Sequence, residues 1–134
     1  MWNKNEAHFD GDYFFKEQAI GTSTDAQISD AFQLGNTEGG IRVRAWIEGN
    51  AACASGDTIA ATLQVGDKAD STAGTDWTDI ASGTLTATGT ALTGEILSVI
   101  PETDKKFMRL SVARVAGTDG MTGKYSAAVE YVPR

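Results

Sequence analysis

The sequence predicts an all-β domain, built as an antiparallel sandwich or small barrel, and three observations support this fold class. Several short segments alternate apolar and polar residues, which is the period of a half-buried strand. Glycine is frequent, with 15 residues, and proline is scarce, with 2, a composition that suits short strands joined by glycine turns. No segment shows the period of an amphipathic helix, so helical layers are not expected.

The clearest alternation lies in residues 41–47. Apolar side chains occupy the odd positions, and the other face of the strand carries Arg42, Arg44 and Trp46. The first face is predicted to enter the core. The second is predicted to face water or a neighbouring protein.

The remaining strands follow from the same period or from flanking turn residues. They are residues 18–23, 30–35, 57–66, 77–82, 95–100, 107–115 and 124–132. Pro101 should end the strand before it, because proline lacks the amide donor of a sheet ladder. Residues 67–76 have no apolar period and predict a long exposed loop.

The length of 134 residues corresponds to one ordinary domain. Residues 1–16 are predicted to form an aromatic arm, and residues 17–134 the β-sandwich domain. The arm carries five rings among charged residues: Trp2, Phe9, Tyr13, Phe14 and Phe15. Two interpretations are open, because the rings either pack onto the domain and close one end of its core or dock on a partner.

The formal net charge of −7 disfavours nucleic acid as a partner, because the long-range field of the protein repels phosphate. The single cysteine, Cys53, excludes an intrachain disulfide and indicates folding in a reducing cytoplasm. The first residues lack the layout of a signal peptide, and no apolar run approaches the ~20 residues that span a bilayer. A membrane is therefore not an expected partner.

The sequence offers no convincing catalytic or cofactor site. His8 is the only histidine, and it lies in the arm, where a rigid site is not expected. The carboxylate pairs Asp10 with Asp12 and Asp76 with Asp79 are typical of solvated turns, in which aspartate bonds its own backbone. Cys53 is interpreted as a small buried hydrophobe. We therefore expect a protein that is not an enzyme and holds neither cofactor nor metal.

Candidate partner-binding residues come from the arm and from the polar face of residues 41–47. They are Phe9, Tyr13, Phe14, Phe15, Arg42, Arg44 and Trp46. Aromatic residues and arginine are enriched in protein interfaces, and arginine forms bidentate pairs with carboxylates. The alternative for the arginines is that they only solvate an exposed sheet face.

Several short motifs follow one another along the chain: Phe9-Asp10; Gln18-Ala19-Ile20 with Ser23-Thr24-Asp25; Phe32-Gln33-Leu34-Gly35; Ala60-Ala61-Thr62-Leu63-Gln64-Val65; Trp77-Thr78-Asp79-Ile80; Ile100-Pro101; Phe107-Met108-Arg109-Leu110; and Gly123-Lys124-Tyr125-Ser126-Ala127. The order of these motifs resembles the Bbp16-like capsid cement, or decoration, proteins of tailed bacteriophages. The motifs extend over most of the chain, from about Phe9 to Tyr131.

The resemblance implies an antiparallel jelly-roll-like β-sandwich with an N-terminal arm. It also implies a homotrimer that binds the major capsid protein on the outside of an icosahedral head and stabilises the shell. Such a protein is made in the host bacterial cytoplasm and resides on the capsid exterior of the virion. No cofactor is implied.

Two other functions are compatible with an all-β domain. A carbohydrate-binding β-sandwich of a phage tail or fibre would use an exposed Trp46 or Trp77 as a stacking platform. A hydrolase would use the carboxylate pair of Asp76 and Asp79.

Overall fold

A computed structural model describes residues 13–20, 26–33, 40–68, 74–101, 105–116 and 121–132. Within these ranges the chain forms a short 3-10 turn, Gly74–Asp76, and ten strands. The strands are β1 (Tyr13–Ala19), β2 (Gln27–Ile28), β3 (Phe32–Gln33), β4 (Gly40–Ala52), β5 (Thr58–Gly66), β6 (Trp77–Thr86), β7 (Ala91–Leu92), β8 (Glu95–Val99), β9 (Phe107–Ala116) and β10 (Thr122–Val132).

The strands form two antiparallel sheets. In the first sheet, β1 pairs with β10, β10 with β4, and β4 with both β7 and β8. In the second, β9 pairs with β2 and β3 on one side and with β5 on the other, and β5 pairs with β6. The all-β prediction is therefore confirmed.

The pairing defines a jelly roll. β2 and β3 pair with successive parts of β9, so they act as one interrupted strand, and β7 and β8 do the same along β4. Of the resulting eight strands, the first pairs with the eighth, the second with the seventh, the third with the sixth and the fourth with the fifth. This is the pattern of one long hairpin rolled up so that its successive strand pairs alternate between the two packed sheets.

The core lies between the two sheets and comes from the alternation that predicts the strands. Its almost fully buried side chains are Val43 and Ala45 of β4; Ile59, Ala61 and Leu63 of β5; Met108, Leu110 and Val112 of β9; and Tyr125, Ala127 and Val129 of β10. The hydroxyl of Tyr125 donates to Oε1 of Gln27 at 2.7 Å, and burial raises the pKa of this tyrosine. The buried hydroxyl of Tyr125 thus has a hydrogen-bond partner, as buried polar groups require.

The first strand differs from the prediction. β1 starts at Tyr13, inside the segment predicted as arm, so the predicted boundary at residue 16 lies within a strand. Its pairing with β10 is irregular on both sides of Phe15. Extra residues of this kind let neighbouring side chains point the same way, and Phe14 and Phe15 both pack against the core. The regular alternation is lost, and the predicted strand 18–23 overlaps only the end of β1.

The edges of the two sheets meet at Gly83 of β6 and Ile96 of β8. A Cβ built on Gly83 would lie 2.3 Å from the carbonyl oxygen of Ile96. Only glycine permits this approach of one backbone to another. Gly83 therefore closes one side of the sandwich.

Cys53, predicted to be a small buried hydrophobe, is half-buried. Loss of solvation together with the nearby Asp57 carboxylate raises the pKa of its thiol, in keeping with an unreactive side chain. Residues 1–12 of the predicted arm, Phe9 and His8 among them, lie outside the described residues. In the described part of the chain, no helix is long and apolar enough to cross a membrane.

Candidate protein-binding face

The outer face of the first sheet gathers most of the large polar and aromatic side chains predicted to bind a partner. Register places in one layer Tyr13 of β1; Arg42, Arg44, Trp46 and Glu48 of β4; Glu95 and Ser98 of β8; and Ser126, Ala128 and Glu130 of β10. We call these ten residues the charged face. Cross-strand partners on such a face touch one another directly, so the face is a continuous array.

Arg44 organises the centre of the charged face. Its Nε lies 2.6 Å from Oε2 of Glu95, and its Nη1 lies 3.0 Å from Oε2 of Glu130. Its guanidinium carbon also lies 5.3 Å from the centre of the Trp46 ring. Partial burial lowers the pKa of Arg44, but the hydrogen bonds to Glu130 and Glu95 outweigh this effect and raise it. Arg44 is therefore a fixed cation.

Arg42 is held less tightly than Arg44. Its side chain is 42% exposed, and its Nη1 lies 3.9 Å from Oε1 of Glu130. A contact at that distance between exposed groups contributes little to stability. Arg42 is therefore more available than Arg44 to a carboxylate on a partner.

A buried serine anchors β1 to the middle of the charged face. The hydroxyl of Ser126 donates to Oε2 of Glu48 at 2.6 Å and accepts from the backbone amide of Glu17 at 2.8 Å. Glu17 has a φ of 50°, in the left-handed region that is costly for residues other than glycine. The serine thus stabilises the irregular backbone of β1 at Glu17.

Replacing Ser126 with alanine is expected to lower the free energy of unfolding by about 1–3 kcal/mol, because the Glu17 amide and the Glu48 carboxylate each lose a partner. Urea unfolding of the purified variant measures this change. Ser98→Ala is the matched control, because Ser98 lies exposed on the same face, opposite Arg44. Equal effects of the two substitutions would contradict the anchoring role.

The structure places six of the seven predicted partner-binding residues, and Phe9 lies outside the described residues. Tyr13, Arg42, Arg44 and Trp46 share the charged face, and Ala128 lies between Tyr13 and Arg44 in the register. The other two that can be placed are Phe14 and Phe15. These make edge contacts with Phe32 at 6.2 Å and Tyr125 at 5.2 Å, between ring centres, and their inward packing matches the interpretation in which arm rings close the core.

Six residues of the face were not singled out from the sequence: Glu48, Glu95, Ser98, Ser126, Ala128 and Glu130. The two that bond Arg44, Glu95 and Glu130, lie far along the chain from it, and only the pairing of β8 and β10 with β4 brings them to it. The signal available in the sequence was the polar position of Ser126 and Glu130 on an alternating strand. That pattern gives the face of a residue but not its neighbour.

The outer face of the second sheet has a different chemistry. It presents mainly small uncharged side chains: Thr58, Ala60 and Thr62 of β5; Ser82, Thr84 and Thr86 of β6; and Ser111 and Ala113 of β9. We call this the threonine face. The hydroxyls of Thr58 and Thr86 lie 3.0 Å apart and bond across the strands. Of these residue types, serine and alanine are depleted in protein interfaces.

Trp77 is not the exposed platform that a carbohydrate site requires. Its residue is 6% exposed, and the guanidinium carbon of Arg109 lies 4.3 Å from the ring centre. Nε of Arg109 donates to Gln64 at 2.8 Å, and Gln64 donates to Oδ1 of Asp79 at 2.8 Å. Burial lowers the pKa of Arg109, partly offset by the charge of Asp79. The prediction of an exposed Trp77 is therefore wrong, because a cation covers the ring.

Asp79 of the predicted carboxylate pair belongs to this same chain of hydrogen bonds. Asp76 ends the 3-10 turn that precedes β6. Asp10 and Asp12, the other pair, lie outside the described residues.

Comparison with known proteins adds two distant structural likenesses. No family model matches the chain. No curated protein matches it. A structure described as PirA is 11% identical, with a TM-score of 0.41, and the match covers 89% of this chain and 94% of that one. A chain of infectious bursal disease virus, Gx strain, is 10% identical with a TM-score of 0.41, over 89% of this chain and 31% of that one.

This chain therefore matches less than two thirds of the length of that viral chain. At such TM-scores neither likeness assigns a fold or a function. The jelly roll follows instead from the strand pairing of the chain itself.

Proposed function

We propose that this protein is a structural virion protein that binds the outside of an icosahedral phage capsid as a cement, or decoration, protein and stabilises the shell. The observation that carries the proposal is the charged face, on which Tyr13, Arg42, Arg44 and Trp46 lie together. Tyrosine, tryptophan and arginine are the residues that most often dominate the binding energy of protein interfaces.

The charged face suits a protein partner because its side chains are already ordered. Arg44 is fixed by two carboxylates and a ring, and Ser126 holds the backbone of β1 at Glu17. Side chains held in place before binding lose less entropy when a partner docks. Exposed Arg42 adds a cation for an acidic group of that partner.

The choice of a capsid as the partner rests on the resemblance of the sequence motifs to phage cement proteins, and the jelly-roll topology is compatible with it. A protein that binds only the assembled shell stabilises it by mass action. No chemistry is needed for this role, so the proposal includes neither catalysis nor a cofactor. The proposed partner is the major capsid protein, the proposed location is the capsid exterior, and synthesis takes place in the host cytoplasm.

The proposal includes a homotrimer. Three copies joined around an axis engage the shell at three points, so a modest contact per copy becomes tight binding through effective concentration. A ring also removes exposed edges, since each copy presents one side of its sandwich to the next.

Co-sedimentation with capsid shells tests the function. Purified protein is mixed with expanded shells assembled from the major capsid protein and, in parallel, with unassembled coat protein. We expect saturable binding to the shells, and shells that withstand a higher temperature when decorated. Protein that stays in the supernatant at every concentration would contradict the proposal.

A further inference from the structure

A row of three polar side chains crosses the outer face of the second sheet, at one end of the threonine face. Arg109 of β9 pairs with Gln64 of β5, and Gln64 pairs with Asp79 of β6. The next row of the sheet contains Thr62, which belongs to the threonine face. Nε of Arg109 donates to Oε1 of Gln64, and Nε2 of Gln64 donates to Oδ1 of Asp79, each at 2.8 Å. Each polar group of the row is thus oriented by its neighbour.

The ring of Trp77 lies beneath the guanidinium of Arg109, with 4.3 Å between the ring centre and the guanidinium carbon. Gly66, which pairs with Trp77, leaves room for the ring. A Cβ on Gly66 would lie 3.3 Å from Cε3 and 3.4 Å from Cδ2 of Trp77. A planar cation on an aromatic face is held by the charge distribution of the ring. The stacking and the bond to Gln64 together fix the plane of the guanidinium.

Most of the hydrogen-bonding capacity of Arg109 is not used within the described part of the chain. A guanidinium has five N–H donors, and Gln64 accepts from the one on Nε. Among the described residues, no carboxylate oxygen lies within 4 Å of a nitrogen of Arg109. Arg109 is half-buried, but neither of its Nη nitrogens is a buried atom. This arrangement is unexpected in a chain whose 18 carboxylate residues outnumber its 11 lysines and arginines.

We propose that Arg109 binds a carboxylate group of a ligand through its two Nη nitrogens. Two parallel N–H groups match the two oxygens of a carboxylate and form a bidentate pair with them. Because Trp77 and Gln64 fix the guanidinium before binding, little side-chain entropy is lost when the pair forms. The site lies on the second sheet and the charged face on the first, so this site is separate from the proposed shell contact.

The charges around Arg109 favour a singly charged ligand group. The negative charge of Asp79 acts on Arg109 and already offsets part of its positive charge. A carboxylate brings one further negative charge, whereas a dianion such as sulfate brings two and is repelled more strongly by Asp79. The net charge of −7 adds to this repulsion at long range. A carboxylate therefore fits the site better than a sulfate or phosphate group.

Nuclear magnetic resonance of the arginine side chains tests the inference. Sodium acetate replaces sodium chloride at constant ionic strength, and the Nε–H resonances of Arg109 and Arg42 are followed in one spectrum. Arg42 is the internal control, because its side chain is 42% exposed and its ion pair is long, at 3.9 Å. The resonance of Arg109 should saturate with a midpoint at least about tenfold lower than that of Arg42, because its guanidinium is held in place beforehand. Equal midpoints would overturn the inference.

Three variants separate the fork from the charge. Arg109→Lys keeps the charge but lacks the two parallel N–H groups, so acetate should no longer shift the indole N–H resonance of Trp77. Gln64→Ala keeps Arg109 but frees its plane, so the midpoint of Arg109 should rise toward that of Arg42. Thr62→Ala is the matched control on the same strand and should keep the wild-type midpoint. Circular dichroism checks the fold of each variant. Wild-type acetate binding by the Arg109→Lys protein would contradict the proposed role of the fork.

Two further probes define the ligand. Sulfate should bind more weakly than acetate at equal ionic strength, and tighter binding of sulfate would overturn the assignment to a carboxylate. The peptide acetyl-Gly-Glu-Gly-amide presents the same group on a protein side chain. A lower midpoint for the peptide than for acetate identifies an acidic side chain of a protein as the source of the carboxylate. A lower midpoint for acetate identifies a small free carboxylate.

Discussion

Replacing Gly83 with alanine is expected to lower the free energy of unfolding by about 3 kcal/mol, the upper range for forcing extra atoms into a packed site. The new Cβ would lie 2.3 Å from the carbonyl oxygen of Ile96, 3.3 Å from its carbonyl carbon and 3.3 Å from Cα of Leu97. All three are backbone atoms, so no side-chain rotation relieves the overlap. The edges of the two sheets must separate instead. Urea unfolding of the purified variant measures the loss.

Gly89→Ala is the matched control for this prediction. Gly89 lies in an exposed turn, and a Cβ there would meet no atom within 4 Å. We expect a change within about 0.5 kcal/mol, as for other exposed substitutions. A Gly83 variant as stable as the Gly89 variant would show that the two sheets do not meet at this edge.

The second large effect concerns binding. The double variant Arg42→Ala, Trp46→Ala is expected to bind capsid shells at least about 30-fold more weakly than the wild type, which corresponds to about 2 kcal/mol of binding free energy. In the described part of the chain, the ion pair of Arg42 with Glu130 is long, at 3.9 Å, and Trp46 is half-buried. The fold should therefore tolerate both changes. Titrated co-sedimentation with expanded shells measures the affinity.

A double variant on the other sheet controls for the number of substitutions. Thr62→Ala, Thr84→Ala removes two side chains from the threonine face, which the proposal leaves unbound. We expect wild-type affinity from this protein. The assignment of the charged face would be wrong if the threonine-face variant lost binding and the charged-face variant kept it.

Much of the fold could be predicted because burial on one side gives strands a clear period. The long strands β4, β5, β9 and β10 lie where the period predicts strands, residues 41–47 have the predicted faces, and Pro101 follows the end of β8 as expected. Arg114 follows the same period, because it shares the inward face of β9 with Met108, Leu110 and Val112, and it is 4% exposed.

The shortest strands and the first strand were harder to predict. β2 and β7 have two residues each, too few to show a period. The pairing of β1 is irregular, so the neighbouring residues Phe14 and Phe15 both pack against the core. Their sequence therefore lacks the alternation of a strand and resembles that of an unpaired arm. Their partners, Phe32 and Tyr125, come from distant parts of the chain.

The candidate face could be predicted in part. Arg42, Arg44 and Trp46 follow from the alternation of one strand, and Tyr13 was selected for its ring. The carboxylates that fix Arg44 come from β8 and β10, and their positions depend on which strands pair. The covering of Trp77 by Arg109 likewise depends on the neighbouring strands. Single-strand patterns determine orientation, whereas binding faces are built from pairs of strands.

The most direct test of the account is a cryo-electron microscopy reconstruction of expanded shells decorated with this protein. We predict that the β1-β10-β4-β8 sheet faces the shell, with Arg42 and Trp46 in contact with the major capsid protein and the threonine face turned to solvent. A reconstruction in which the threonine face contacts the coat, or in which the shells carry no added density, would contradict the account.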